Sequence, residues 1–196
     1  PLFNGGIEQD LMDSKNYKFY LMQAGIGLPD RDYYTKDDDR SKEIRTEYVK
    51  HVAKMFELTG VDAETAQKNA GVVMSIETRL AEKSKTNTEM RNIPALYNKM
   101  SVAQLGELAP GFDWTRYFKN ISDKDFGDVI VGMPVFFEEV GKIVKEVSID
   151  DWKVYLTWNL VNRSAEYLSS DFVTQDFKFF SEFLSGSKKM RERWER

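Results

Sequence analysis

Few residues in this chain have the type and spacing that chemistry needs, and histidine is the scarcest of them. The 196 residues include one histidine, His51, and no cysteine. A helical zinc site of the HExxH type needs a second histidine four residues on and a glutamate beside the first, and His51 in the run HVAKM has neither. We therefore expect His51 to lie on a helix surface rather than to bind a metal.

The other arrangements that could carry chemistry are also incomplete. The acidic run 37–39 lacks the alternating spacing and central glycine of an EF-hand loop, and it predicts a solvated entry to a helix. There is no G-x-S-x-G elbow for a serine nucleophile. Gly25 and Gly27 lack the remaining residues of a phosphate-binding loop. An apolar pocket could be lined by Phe177, Phe179, Phe180 and Phe183, but core packing is the more common role. The sequence thus predicts no catalytic residue and no metal ligand of its own.

Composition and charge are those of a folded chain. Hydrophobic residues make up 41% and charged residues 31%, with a net charge of −4 spread over both signs. These values argue against a disordered chain and against a basic face for nucleic acid. No run of about 18 apolar residues could span a bilayer, and the first ten residues lack the pattern of a signal peptide. We expect one lobe over 1–196, without an interior linker.

Apolar periodicity predicts a predominantly all-α fold after an irregular lead-in over 1–38, in which 17–22 could be a strand or a buried extended segment. Residues 39–196 are expected to form an irregular multi-helix lobe with antiparallel helix hairpins and at most one or two short strands, such as 128–133. The last segment is helical in composition and has no C-cap, which suggests a cut end with an exposed apolar patch near Met190 and Trp194. The predicted core includes Tyr48, Val52, Val73, Ile76, Leu80, Trp152, Leu156 and Phe180.

Two short blocks are distinct from this helical pattern. In the first, Arg31 lies between two carboxylates, which predicts a turn pinned by bidentate ion pairs and phenol hydrogen bonds. The amides and long donors of the second predict a chain reversal packed against another lobe. We interpret both as structural, with substrate contact by one side chain as the alternative. The first block, GLPDRDYY, contains Leu28, Pro29, Arg31, Asp32, Tyr33 and Tyr34, and the second, RNIPALYNKMS, contains Arg91, Asn92, Tyr97, Asn98, Lys99 and Met100.

In this order the two blocks resemble the N-terminal region of the neprilysin and endothelin-converting-enzyme family of zinc endopeptidases. The resemblance extends over nearly the whole chain, from DSKN at 13–16 to GSKKMRERWER at the end. Animal members of that family have disulfide-bonded ectodomains, so a cysteine-free chain fits a bacterial member better. The family's zinc site uses HExxH and a later Glu-x-x-x-Asp. Glu146 and Asp150 share only that last spacing, which we interpret as coincidence.

The resemblance implies a non-catalytic, mostly helical portion of a zinc metalloendopeptidase, which helps to enclose the active-site chamber and restricts substrate size. Zinc would belong to the parent protein and not to these residues. The implied partners are the catalytic lobe of the same chain and peptide substrates, and the implied location is periplasmic or at the cell envelope. The main alternative is a stand-alone helical module that binds a protein or peptide. A hydrolase with two converging carboxylates is a third hypothesis.

Overall fold

The chain forms two compact units, each of which combines two separate segments. In the computed structural model, which describes residues 1–192, the first unit comprises residues 1–35 and 77–148. The second comprises residues 36–76 and those from 149 onward. Each unit therefore depends on contacts between parts of the chain that are distant in sequence.

A four-stranded sheet lies in the first unit, with the strand order β1-β2-β4-β3. The β1/β2 and β3/β4 pairs are antiparallel, whereas β2 and β4 are parallel. The expectation of at most one or two strands and an irregular lead-in is therefore wrong. Polar residues and the Gly5-Gly6 pair obscure the alternation in β1, which becomes a strand because it can pair with β2. The strands are β1 Phe3–Gln9, β2 Tyr17–Gln23, β3 Lys99–Ser101 and β4 Asp128–Val131.

Helices make up most of the remaining structure, so the prediction of a predominantly helical fold is confirmed. No helix among residues 1–192 is both long enough and apolar enough to cross a bilayer. The helices are α1 Asp32–Thr35, α2 Asp39–Leu58, α3 Ala63–Lys83, α4 Ile93–Leu96, α5 Val102–Leu108, α6 Trp114–Ile121, α7 Pro134–Glu146, α8 Ile149–Ser164 and α9 Ser170–Asp176. Short 3₁₀ turns occupy Glu89–Arg91 and Ala165–Tyr167, and a π-helix occupies Phe177–Phe183.

The helix starts follow local capping rules. Asp38, in the acidic run 37–39, caps α2 by accepting a hydrogen bond from the Ser41 N–H at 2.9 Å. Ser101 and Gln104 form a capping box at α5, and Asp113 caps α6. The expected stripes of α2 and α3 are buried, including Tyr48, Val52, Val73, Ile76 and Leu80.

Near the end of the described chain, three predictions are wrong. On α8, Trp158 is buried while Leu156 is exposed and Trp152 is half-buried, because α8 is apolar on both faces and periodicity could not select the inner one. Phe179 is buried instead of Phe180, because a π-helix does not follow the 3.6-residue period. Residues 187–192 are not helical and follow Gly186, whose φ is +73°. Met190 is half-buried, and Trp194 lies outside the described residues.

Two glycines allow a close backbone approach in the first unit. A Cβ added to Gly141, in α7, would lie 2.8 Å from the Ala109 Cα, and one added to Gly111 would lie 2.1 Å from the Gly141 carbonyl oxygen. Both contacts are with backbone atoms, which cannot rotate away. The loop after α5 therefore packs on α7 only because these side chains are missing.

Candidate functional site

The first block is organised around one phenol oxygen. The backbone N–H groups of Gly27 and Leu28 donate hydrogen bonds to the Tyr34 hydroxyl oxygen at 3.1 and 2.9 Å. The Tyr34 hydroxyl in turn donates to a carboxyl oxygen of Glu77, on α3, at 2.6 Å. Leu28, Tyr34 and Glu77 are all buried. This arrangement ties the turn to α3 through a hydrogen-bond network that is buried except at the Gly27 N–H.

Arg31 does not form the predicted bidentate ion pair. Its nearest guanidinium nitrogen is 4.0 Å from Asp32, whereas its Nε donates to the carbonyl oxygen of Ala81 at 2.9 Å. Ala81 lies in the last turn of α3, where carbonyl groups lack helical partners and favour a cation. The carboxylate of Asp30 instead accepts from the Asp32 N–H at 2.8 Å and from the side-chain amide of Asn87. Arg31 therefore caps a helix, and Asp30 shapes the turn.

The remaining members of the first block complete the turn around this network. Pro29 lies in the turn three residues before the start of α1, and Tyr33 lies half-buried within α1. A second link to the end of α3 comes from Gln23, at the end of β2. Its side-chain amide donates to the Lys85 carbonyl at 2.8 Å and accepts from the Lys85 N–H at 2.6 Å. The first block is therefore held between the sheet and α3.

The second block connects the helical segments to the sheet. Asn98 donates from its side-chain amide to the carbonyl oxygens of Ala95 at 3.2 Å and Val131 at 3.0 Å. Lys99 and Met100 lie in β3, and the Lys99 ammonium is 3.4 Å from the Asp128 carboxylate on β4. Asn92 caps α4, and Arg91 is exposed at the end of a 3₁₀ turn.

Tyr97 pairs with Asp10, which follows β1. The Tyr97 hydroxyl donates to the Asp10 carboxylate at 2.8 Å, and the Met12 N–H donates to the same carboxylate oxygen at 2.9 Å. The hydrogen bond to Asp10, assisted by desolvation, raises the pKa of Tyr97 to about 12. The Met12 N–H bond lowers the pKa of Asp10, and the Tyr97 hydroxyl adds to this effect. This contact fixes the second block to the β1–β2 hairpin.

Sequence reasoning missed the partners of both blocks. No motif in the sequence marks Glu77, Asp10 or Asn87. One signal was available for Glu77, since a carboxylate between the apolar positions Ile76 and Leu80 has to be paired if it is buried. No comparable signal marks Asp10, which lies 87 residues from Tyr97 in the sequence.

His51 is a core residue of the second unit, so its predicted place on the helix surface is wrong. It is 2% exposed and stacks on Phe179 with ring centroids 4.8 Å apart. Its Nδ1 lies 3.2 Å from the side-chain nitrogen of Gln175, and its Nε2 is buried without a hydrogen-bond partner. Burial lowers the pKa of His51 to about 3. The neutral imidazole packs among aromatic rings that a helical wheel of α2 alone cannot reveal.

The acidic candidates are also occupied by structural contacts. Glu146 accepts from the Arg79 guanidinium at 2.7 Å, and Asp150 pairs with Lys153 at 2.7 Å. Asp38 is the cap of α2. Within residues 1–192, no three His, Cys, Asp or Glu side chains are grouped so that they could hold a metal ion.

The whole chain, residues 1–196, matches the sequence model of peptidase family M13. Neprilysin-3 of Drosophila melanogaster is 28% identical over 206 aligned residues, covering 98% of this chain and 26% of that protein. Endothelin-converting enzyme 1 of Homo sapiens is 25% identical over 199 residues, covering 99% of this chain and 26% of that protein. The chain thus spans about a quarter of the length of these relatives.

Solved structures show the same fold. The zinc metalloprotease Zmp1 of Mycobacterium tuberculosis, in its open state, is 29% identical with a TM-score of 0.93, covering 100% of this chain and 30% of that chain. PepO from Lactobacillus rhamnosis HN001 has a TM-score of 0.87 at 16% identity and covers 100% of this chain and 31% of its own, which shows a shared fold alone. Because the family match covers every residue, the chain belongs to peptidase family M13, where it corresponds to the N-terminal region.

Proposed function

We propose that this chain is the non-catalytic portion of a zinc-dependent metalloendopeptidase, in which it helps to enclose the active-site chamber and restricts substrate size. The observation that carries the proposal is the family match over all 196 residues of a chain that contains no HExxH sequence. The names of the relatives support it, since they include a neprilysin, an endothelin-converting enzyme and a zinc metalloprotease.

The residues of this chain do not fit a catalytic zinc ion. A catalytic zinc needs three protein ligands of suitable type around an open position. The one histidine is enclosed by aromatic rings and bonded to Gln175, and the acidic candidates pair with Arg79 and Lys153. The zinc and the groups that activate water would therefore come from residues outside this sequence.

The role that we assign to the two blocks is to hold the first unit rigid. Tyr34 and Glu77 join the first block to α3, while Tyr97 and Asp10 join the second block to the β1–β2 hairpin. A wall that limits access by size has to keep its shape when a large substrate presses on it. Hydrogen-bond networks that join distant parts of the chain add to that rigidity.

The test uses the full-length protein that contains this chain. We expect zinc-dependent cleavage of one target sequence placed in short peptides, and a progressive loss of cleavage as inert Gly-Ser extensions lengthen the peptide. The same sequence in an exposed loop of a folded protein should resist cleavage. Equal rates for the peptide and the folded protein would contradict a size-restricting role, and no zinc-dependent cleavage at all would contradict the peptidase assignment.

The alternative, a stand-alone module that binds proteins or peptides, predicts binding without hydrolysis in the same experiment. An extracytoplasmic location, in the periplasm or at the cell envelope, is part of the proposal for the longer protein. Cell fractionation tests it, and recovery of the full-length protein with a cytoplasmic marker would contradict it.

A further inference from the structure

Helix α8 carries apolar side chains on two opposite faces. Its inner face contributes Tyr155 and Trp158, which are fully buried, and the Trp158 ring lies 6.0 Å from that of Tyr48 on α2. The opposite face exposes a second apolar set, which continues into the 3₁₀ turn after α8. We call it the outer stripe: Ile149, Leu156, Leu160 and Tyr167, with exposed fractions of 75%, 55%, 67% and 84%.

The outer stripe has the geometry of a helix-packing seam. With 3.6 residues per turn, the first three side chains project within about 40° of one another, and Tyr167 follows Leu160 at a spacing of seven residues. The stripe extends over roughly 27 Å of helix. Single exposed apolar residues are common on monomers, but an apolar face aligned along a whole helix is typical of a helix buried on both sides.

The area of the stripe favours a cover from the same polypeptide over a second copy. Its four residues expose on the order of 600 Å², which is the lower limit of the roughly 600–1,000 Å² that each partner buries in a stable interface between two proteins. A helix of the same chain needs no such area, because covalent connection holds it at a high effective concentration. The matched relatives are long enough to contain such a helix, since this sequence covers only 26% of Neprilysin-3 and 30% of the Zmp1 chain.

We infer that the outer stripe of α8 is covered by a helix which the same polypeptide supplies from outside residues 1–196. The inference rests on the proposed function, because it assumes that this chain is part of a longer peptidase. It also identifies α8 as a helix that joins this region to the rest of the protein, with its inner face in the second unit and its outer face in the interface.

Cysteine accessibility in the full-length protein tests the inference. Residues 1–196 contain no cysteine, so each variant introduces the only thiol of this region. Leu160→Cys and Leu156→Cys report on the stripe. Lys68→Cys, on α3 in the same unit, is the control, since the Lys68 side chain is 71% exposed. The rate of maleimide labelling is measured by mass spectrometry of the peptide that contains each cysteine.

We expect both stripe cysteines to label on the order of tenfold or more slowly than the cysteine at position 68, at every protein concentration. Hydroxyl-radical footprinting of Tyr167 in the unsubstituted protein gives the same readout if a variant fails to fold. Labelling as fast as the control would overturn the inference. Protection that disappears on dilution would assign the stripe to a second copy, and protection that requires added peptide would assign it to a ligand. Failure of the proposed function is separate, because it would appear as missing zinc-dependent hydrolysis whatever the labelling rates.

Discussion

Replacing Tyr34 by Phe removes one oxygen and keeps the ring, so it isolates the hydrogen-bond network of the first block. The lost hydroxyl accepts from the N–H groups of Gly27 and Leu28 and donates to Glu77. The Gly27 N–H is only partly buried and can be reached by water. The Leu28 N–H and the Glu77 carboxyl lie in buried surroundings, where losing a partner costs about 1–3 kcal/mol for each group.

We therefore expect Y34F to lower the free energy of unfolding by about 2–6 kcal/mol, as measured by urea unfolding followed through tryptophan fluorescence. Hydrogen exchange adds a local readout, because the amides of Gly27 and Leu28 should exchange faster while the amides of α2 change little. Tyr17→Phe is the matched control, since Tyr17 is 70% exposed and should change the unfolding free energy by less than about 0.5 kcal/mol. If Y34F unfolds like the Tyr17 control and its two amides stay protected, the buried network does not hold the turn.

Three further predictions concern other parts of the chain. His51 has a folded-state pKa of about 3, below its ordinary value of 6.5, so its contribution to stability is present above pH 6.5 and is lost as pH falls, by roughly 2 kcal/mol at pH 5. Between pH 7 and pH 5, urea unfolding should therefore show a loss of unfolding free energy that is roughly 2 kcal/mol greater for the unsubstituted protein than for His51→Phe. Gly141→Ala should destabilise the protein by about 1–3 kcal/mol, because the new Cβ meets the backbone of Ala109. Gly71→Ala should stabilise α3 by about 0.5–1 kcal/mol, because nothing lies within 4 Å of the added Cβ. Equal shifts in melting temperature for the two variants would contradict the argument from close backbone approach. The 196-residue polypeptide alone should bind no stoichiometric zinc and cleave no peptide, which metal analysis and a cleavage assay after repurification will check.

What the sequence could predict here depended on how far apart the interacting residues are. The caps at Ser101 and Asp113 were predictable because cap and helix are within three residues of each other. The stripes of α2 and α3 were predictable because each is one-sided. Trp158 was missed because α8 offers two apolar faces, and only the packing against α2 decides between them.

The candidate site was predictable only as a pair of blocks. Tyr34 and Tyr97 were singled out, but their acceptors Glu77 and Asp10 are 43 and 87 residues away in the sequence. The burial of His51 was not predictable for the same reason, since the rings that pack on it belong to α8 and to the π-helix. Periodicity reports on one element at a time, and these contacts join elements that are distant along the chain.

Because each unit combines two distant segments of the chain, the first segment of each is synthesised well before the segment that completes it. Strand β2 emerges early from the ribosome, but its parallel partner β4 is synthesised much later. Tyr20 therefore cannot pair with Ile130 until then. At a translation rate of about 5–20 residues per second, the inner edge of β2 waits roughly 5–20 s for that partner. During this interval the nascent hairpin has an open edge strand and an uncovered apolar face with Phe19 and Leu21. Fragments that stop before residue 128 would keep that edge open permanently, and we expect them to aggregate when expressed.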